Sequence, residues 1–161
     1  MGIEQLGLMF AIAGAAIASF MGGCGSAIGL GIVGRSATGV LTEDPDKFGK
    51  IFLLAVLPST QGFYGFIIAI IIILKLGLLG GAPLLPTTVQ GLQILFASLP
   101  CAIAGFTSGI HQGKVCASGV EMAAKQPDAA MRAVIYGVMV ETYAVLGLVV
   151  SFLIIFIGIK I

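Results

Sequence analysis

Long apolar stretches with very few charged positions dominate the pattern along this chain. The stretches 5–34, 51–74 and 76–113 contain no Asp, Glu, Lys or Arg, and 133–159 contains only Glu141. A helix that crosses a bilayer needs about 20 consecutive, mostly apolar residues. The pattern therefore predicts an all-α membrane protein with four transmembrane helices, at roughly 5–33, 51–76, 87–124 and 130–159.

Composition agrees with a membrane location. Of the 161 residues, 58% are hydrophobic and 9% are charged, whereas soluble domains carry about 25% charged residues. The net charge of +1 gives no indication of a nucleic-acid partner. Three scattered cysteines show no metal-ligand spacing, and we interpret them as small packing residues: Cys24, Cys101 and Cys116.

Basic residues predict the orientation in the cell membrane. Three lie in 35–50 and three in 114–132, whereas the opposite side carries only Lys75 and Lys160. Under the positive-inside rule, the loops 35–50 and 114–131 are cytoplasmic. Both termini and the connection between the middle helices then lie outside.

The two halves of the chain resemble each other. Residues 37–40 resemble 117–120 at a separation of 80, and residues 45–46 resemble 127–128 at a separation of 82. The pattern predicts a duplicated helical hairpin with a two-residue difference in the connecting turn. The predicted hairpins are residues 1–80 and 81–161.

Only the second half carries a carboxylate within the membrane. At these separations, Glu141 aligns with Ser59 and Gln112 aligns with Ile32. One carboxylate therefore serves two hairpins.

Small residues recur at every fourth position along the first and third predicted helices. Such rows let helix backbones approach closely in lipid. They favour a crowded concentric assembly in which these two helices line an inner ring; ordinary packing within a four-helix bundle is the alternative. The rows are Ala11, Ala15, Ser19, Gly23, Ala27 and Gly31, and Ala97, Cys101, Gly105, Gly109, Gly113 and Ala117.

Glu141 is the candidate functional residue. It follows Arg132 by nine positions, which is about 14 Å along a helix and close to the membrane centre. A charge there costs on the order of 3 kcal/mol or more, so such a carboxylate indicates function. The alternative is a protonated glutamic acid bonded to one neighbour.

Polar side chains occur at the same depth on the neighbouring predicted helices. Gln112 lies as far before the second turn as Glu141 lies after it. On the second predicted helix, one face carries Leu57, Thr60, Gln61 and Tyr64. Pro58 lacks a backbone N–H, so a kink there can expose a carbonyl.

These groups are all oxygen donors, which suits a hard cation. With a single carboxylate, Na⁺ is neutralised, whereas Ca²⁺ or Mg²⁺ leaves an unpaired charge. Tyr64 is placed to donate its hydroxyl hydrogen to Glu141. His111 and Lys114 are rotated away from the Gln112 face, and we expect neither to serve the site.

Three segments carry a family resemblance. Residues 57–65 (LPSTQGFYG), 108–115 (SGIHQGKV) and 139–144 (MVETYA) resemble the proteolipid (K or c) subunit of V-type ATPases, and in particular the sodium-translocating bacterial type. The resemblance covers nearly the whole chain, including its duplication.

The resemblance implies a membrane rotor ring of identical subunits in which Glu141 carries the transported Na⁺. It also implies that four residues complete the ion's shell: Leu57 through its carbonyl, Thr60, Gln61 and Gln112. Tyr64 would support Glu141 by a hydrogen bond.

The implied partners are further copies in the ring, lipids, a stator membrane subunit with an essential arginine, and a central-stalk subunit at the cytoplasmic loops. No nucleic acid is implied. The sequence contains no GxxxxGK[ST] motif, so we expect a non-catalytic subunit whose complex hydrolyses ATP elsewhere. With one carboxylate per two hairpins, fewer ions move per turn, which suits pumping.

Three other functions stay open at this point. A proton-translocating proteolipid needs the carboxylate but not the two glutamines. A small four-helix, cation-coupled secondary transporter should show aromatic residues around a substrate cavity. A structural pore leaves Glu141 unexplained.

Overall fold

The computed structural model describes residues 3–80 and 83–161, and the described part contains four helices long and apolar enough to cross a membrane. The helices are α1 (Ile3–Glu43), α2 (Phe48–Val56), α3 (Thr60–Lys75), α4 (Thr88–Lys125) and α5 (Ala130–Leu153). A 3₁₀ turn, Leu57–Ser59, joins α2 to α3 into the second span, and a π-helical turn, Ile154–Gly158, extends α5. The predicted four-span, all-α class is confirmed. The predicted division between 80 and 81 stays a prediction, because residues 81 and 82 lie outside the described part.

The first helix is longer than the sequence pattern predicts. We expected an end near residue 33, but α1 continues to Glu43 as one helix of 41 residues. At a rise of 1.5 Å per residue this is about 60 Å, roughly twice the hydrocarbon thickness of a bilayer. Charged side chains mark where a helix leaves the lipid, but they do not end it, so most of the predicted loop 35–50 is helical. Most of 114–131 is helical as well, since α4 continues to Lys125, one residue beyond the predicted end of the third helix at 124.

The two turns at this end are short and are begun by proline. Pro45 opens one 3₁₀ turn and Pro127 opens the other, because proline has a fixed φ and needs no hydrogen bond at a first helical position. The Asp44 side chain accepts a hydrogen bond from the Asp46 N–H at 3.2 Å. At the opposite end, Thr87 and Gln90 form a reciprocal capping box that starts α4.

Glycines bring α1 and α4 into backbone contact. A Cβ atom at Gly109 would lie 2.6 Å from the carbonyl carbon of Gly25, and one at Gly25 would lie 2.7 Å from Cα of Phe106. One turn further along, a Cβ at Gly113 would meet the backbone of Gly29, and one at Gly29 would meet the backbone of Gly109. The predicted close packing of small residues therefore holds between these two helices, and the outer spans pack against the pair.

The repeat has one separation throughout, which corrects the sequence alignment. α1 ends at Glu43 and α4 ends at Lys125, 82 positions later, and the following 3₁₀ turns begin at Pro45 and Pro127, again 82 apart. Each of the two helices is one continuous element, so the separation of 82 extends back along them. Gln112 therefore corresponds to Leu30 rather than to Ile32. Alanine and glycine are so frequent here that a short match at 80 was not specific.

Proline is accommodated inside α4 by a contact from α5. Pro100 interrupts the helical hydrogen bonding, and the N–H of Cys101 instead donates to the buried hydroxyl of Ser151 at 3.0 Å. At the same end, Gln90 Nε2 donates to the Lys160 carbonyl at 2.8 Å. These bonds fix the depth of α5 relative to α4.

Replacing Gly109 by alanine is expected to separate α1 from α4 and to lower the free energy of unfolding by about 1–3 kcal/mol, as overpacked cores do. Thermal unfolding in detergent, followed by circular dichroism, measures the effect. Gly49→Ala is the matched control, since a Cβ there meets nothing within 4 Å. Equal melting temperatures for the two variants would contradict the backbone contact.

Candidate functional site

The break at Pro58 shapes the wall of the site on the second span. Helix α2 ends at Val56, and the 3₁₀ turn lets the N–H of Thr60 bond the Leu57 carbonyl. The Thr60 hydroxyl donates to the same carbonyl at 3.1 Å. The predicted break is therefore present, but the structure shows the Leu57 oxygen bonded to Thr60.

Two glutamines meet at the centre of the molecule. Gln61 and Gln112 are both 0% exposed, and Gln61 Nε2 donates to Gln112 Oε1 at 2.6 Å. Gln112 Nε2 donates to the Gly137 carbonyl at 3.0 Å and to Glu141 Oε2 at 3.2 Å. The chain of bonds links the second, third and fourth spans and leads to the carboxylate.

Glu141 is half-buried on α5 and receives two hydrogen bonds, one at each oxygen. Besides the Gln112 amide, the Tyr64 hydroxyl donates to Oε1 at 2.5 Å. Within the described part of the chain, the one ion pair joins Lys47 to Asp44, far from the site. The carboxylate is thus held by neutral donors, and no cationic side chain of a described residue forms an ion pair with it.

One buried oxygen in this cluster has no partner. Gln61 Oε1 is inaccessible to solvent and accepts no hydrogen bond from any described residue. Most buried polar atoms are paired, and an orphaned one needs a physical explanation. Here it belongs to a side chain that is connected through Gln112 to the Glu141 carboxylate, which fits a missing positive group.

The residues that the sequence predicts for the site lie at the same depth in the molecule, on helix faces that point toward one another. Glu141, Tyr64, Gln61 and Gln112 are joined by direct hydrogen bonds. Leu57 and Thr60 lie one turn before Gln61 and Tyr64 along the second span. As predicted, the side chains of His111 and Lys114 are exposed and take no part in the cluster.

Sequence reasoning missed Ser108. Its hydroxyl accepts from Gln61 Nε2 at 3.3 Å and donates to the Val140 carbonyl at 3.0 Å. The signal was available, because Ser108 precedes Gln112 by one helical turn and shares its face. Gly137 was also missed, since a backbone carbonyl leaves no trace in the residue type.

Known proteins share this chain's sequence over most of its length. The family of the ATP synthase C subunit matches twice, at residues 13–72 and 95–154. The V-type sodium ATPase subunit K of Enterococcus hirae is 46% identical over 149 residues, which cover 92% of each protein. The A-type ATP synthase subunit K of Methanocaldococcus jannaschii is 36% identical over 91% of this chain and 61% of its own length.

The two family matches begin 82 residues apart and have the same length, in agreement with the repeat seen in the helices. Together with the identities over nearly the whole chain, these matches exclude two of the open hypotheses, the secondary transporter and the structural pore. The chain belongs to the ATP synthase C-subunit family, as a V-type proteolipid: a non-catalytic, ring-forming membrane subunit of a rotary ATPase.

Proposed function

We propose that this chain carries Na⁺ across the cell membrane in a rotor ring, by reversible coordination at Glu141. The observation that carries the proposal is the unpaired Gln61 Oε1, on a side chain that Gln112 connects to a carboxylate with no ion-pair partner among the described residues. A proton on Glu141 would neutralise the charge and supply a single O–H donor, which leaves the oxygens of Thr60, Gln61 and Gln112 without a common role. A metal cation answers both requirements at once. The name of the Enterococcus relative, a sodium ATPase subunit, agrees with this choice.

The charge of the site favours a monovalent ion. Glu141 supplies one negative charge, and the other proposed ligands are neutral oxygens of Leu57, Thr60, Gln61 and Gln112. Among the described residues, no three His, Cys, Asp or Glu side chains are grouped as a metal site. A divalent ion would therefore keep an uncompensated charge in a low-dielectric environment.

Each side-chain ligand retains a free lone pair. Gln112 Oε1 accepts one bond, from Gln61, and an amide oxygen has two acceptor positions. The Thr60 hydroxyl acts as a donor to Leu57, so its oxygen is still available. The Leu57 carbonyl differs, because its oxygen already accepts hydrogen bonds from the N–H and the hydroxyl of Thr60. It would have to coordinate the ion alongside these bonds.

Tyr64 acts as a latch on the carboxylate. Its bond to Glu141 Oε1 connects the second span to the fourth and holds the side chain toward the glutamines. Release of the ion requires Glu141 to leave this position and become available to another cation.

We infer the transport cycle from these contacts and from ring assembly. An ion enters beside the stator subunit and neutralises Glu141, and the neutral site then turns through the lipid. A stator arginine competes for the carboxylate and displaces the ion on the other side. The half-buried position of Glu141 suits this exchange, because a fully enclosed carboxylate could not meet a stator residue.

The orientation belongs to the same proposal. The two turns at Asp44–Lys47 and Gln126–Ala129 lie at one end of the molecule, with five of the nearby basic side chains exposed or half-exposed to solvent: Arg35, Lys47, Lys50, Lys125 and Arg132. We place this end in the cytoplasm, in contact with the central stalk, and the termini outside.

The number of carboxylates bears on the direction of transport. With one carboxylate per two hairpins, fewer ions move in each turn of the ring. More ATP is then hydrolysed for each ion, which favours pumping.

Carbodiimide labelling of Glu141 tests the ion directly. The reagent modifies a protonated carboxyl, so millimolar Na⁺ is expected to slow modification of Glu141 in the purified ring. Protection should weaken as the pH falls, because H⁺ and Na⁺ compete for the same oxygens. The rate is measured by mass spectrometry across pH, with and without Na⁺. Equal rates in both conditions at every pH would indicate a proton carrier.

Replacing Tyr64 by phenylalanine is expected to weaken Na⁺ protection roughly ten- to a hundredfold. A hydrogen bond to a charged group contributes about 1.5–3 kcal/mol, and 1.4 kcal/mol is about a factor of ten in affinity. The Na⁺ concentration that halves the labelling rate is the readout. Tyr136→Phe is the control, because this tyrosine is 63% exposed on the same span as Glu141. A Tyr64→Phe ring with unchanged protection would exclude the latch.

A further inference from the structure

The two buried glutamines of the site use all four of their amide hydrogens. Gln61 Nε2 donates to Gln112 Oε1 and to the Ser108 hydroxyl. Gln112 Nε2 donates to the Gly137 carbonyl and to Glu141 Oε2. A side-chain amide has two donors on its nitrogen and only acceptor positions on its oxygen. The direction in which each amide is turned therefore decides which of its atoms is left for a cation.

The fourth span fixes the direction of the Gln112 amide. The amide nitrogen lies within hydrogen-bonding distance of the Gly137 carbonyl and the Glu141 carboxylate. Both of these groups accept hydrogen bonds, and neither has a hydrogen to donate when Glu141 is ionised. The reversed amide would place three oxygen atoms together, so only the observed direction is satisfied.

The direction of the Gln61 amide depends on Ser108 as well as on Gln112. A hydroxyl both donates and accepts, so a freely rotating serine would tolerate either direction of the amide. Here the single hydroxyl hydrogen of Ser108 is donated to the Val140 carbonyl at 3.0 Å. Ser108 therefore presents only lone pairs to Gln61, and these accept from Nε2 at 3.3 Å. The amide oxygen forms the other branch of the group and is left unpaired.

The other hydroxyl hydrogens of the cluster are committed as well. Thr60 donates to the Leu57 carbonyl, and Tyr64 donates to Glu141. No side-chain donor of the cluster remains for Gln61 Oε1. This oxygen is satisfied only by a group from outside the cluster, and a cation is such a group.

The equivalent serine of the first hairpin has a different partner. At the separation of 82, Ser26 corresponds to Ser108, and both side chains are buried. Gly62 lies in the first turn of α3, where N–H groups lack partners within the helix, and its N–H donates to the Ser26 hydroxyl at 2.8 Å. The fourth span has no break at this depth, because α5 is continuous there and pairs its own N–H groups. The lone pairs of Ser108 are therefore free for Gln61.

We propose that Ser108 is a positioning residue for the carried ion: it holds the Gln61 amide so that Oε1, rather than Nε2, is presented to the cation. The inference rests on the proposed binding of Na⁺. The hydrogen bonds of Ser108 go to Gln61 and to the Val140 backbone, so its hydroxyl acts on Glu141 only through the glutamines. A proton on Glu141 needs no amide oxygen, and its binding does not depend on Ser108.

Replacing Ser108 by alanine tests this role in the purified ring. One amide hydrogen of Gln61 then loses its partner, and the amide is no longer held in a single direction. The Na⁺ concentration that halves the carbodiimide labelling rate of Glu141 is expected to rise about two- to tenfold, as for the loss of one hydrogen bond between neutral groups. The labelling rate without Na⁺ should equal that of the unsubstituted ring.

The matched control is Ser98→Ala on the same helix. Ser98 is 0% exposed, and its hydroxyl donates to the Leu95 carbonyl at 2.7 Å. It lies about 15 Å along α4 from Ser108 at the helical rise. This variant also removes a buried hydroxyl, but it should leave Na⁺ protection unchanged.

Three outcomes of the single variants would overturn the proposal. The first is equal Na⁺ protection in the Ser108→Ala ring and the unsubstituted ring. The second is an equal loss of protection in Ser98→Ala. The third is a changed labelling rate of Ser108→Ala without Na⁺, because Ser108 would then act by holding the fourth span in place rather than by orienting an amide.

Double variants show whether Ser108 acts through Gln61. Ser108→Ala is expected to add nothing in a ring that carries Gln61→Ala, where the amide is absent. Its effect should multiply that of Tyr64→Phe, which acts on the carboxylate by a separate bond. A further loss of protection in the Gln61→Ala background would contradict the role.

Failure of this inference is distinguishable from failure of the proposed function. If Na⁺ does not protect Glu141 in the unsubstituted ring, sodium transport is wrong and the role of Ser108 falls with it. If Na⁺ protects the unsubstituted ring and the Ser108→Ala ring at the same concentration, only the positioning role is wrong.

Discussion

A carboxylate inside a bilayer must be satisfied by partners that lie within hydrogen-bonding distance, and the rest of this structure follows from that constraint. Gln112 and Tyr64 donate to the two oxygens of Glu141, and Gln61 holds Gln112 in place. The three donors come from two different spans, so these spans must approach α5 closely. The glycine contact between α1 and α4 and the break at Pro58 make that approach feasible.

Duplication gives the chain two sets of equivalent positions, and only one set carries the oxygen ligands. At the separation of 82, the positions equivalent to Gln61, Gln112 and Glu141 hold Tyr143, Leu30 and Ser59. Polar groups are costly in lipid unless they are paired, so a second complete site would cost free energy without adding strength to the ring.

Much of the site was predictable because helical periodicity and depth are local properties. The distance from Arg132 gives the depth of Glu141, and spacings of three and four place Thr60, Gln61 and Tyr64 on one face. The repeat was harder to align, because alanine and glycine match at several separations; the ends of α1 and α4 resolved it. The length of α1 was underestimated, since charges locate the lipid boundary and not the end of a helix.

The sequence by itself determined four apolar spans, a hairpin duplication, a single membrane carboxylate and the oxygen donors at its depth. Only the tertiary structure decided how those donors are bonded: that the Leu57 oxygen is taken by Thr60, that Ser108 joins the cluster, and that Gln61 Oε1 is left unpaired. It also decided which faces of the two equivalent hairpins are covered. These features depend on distances between spans, and no period along one helix encodes the separation or rotation of its neighbours.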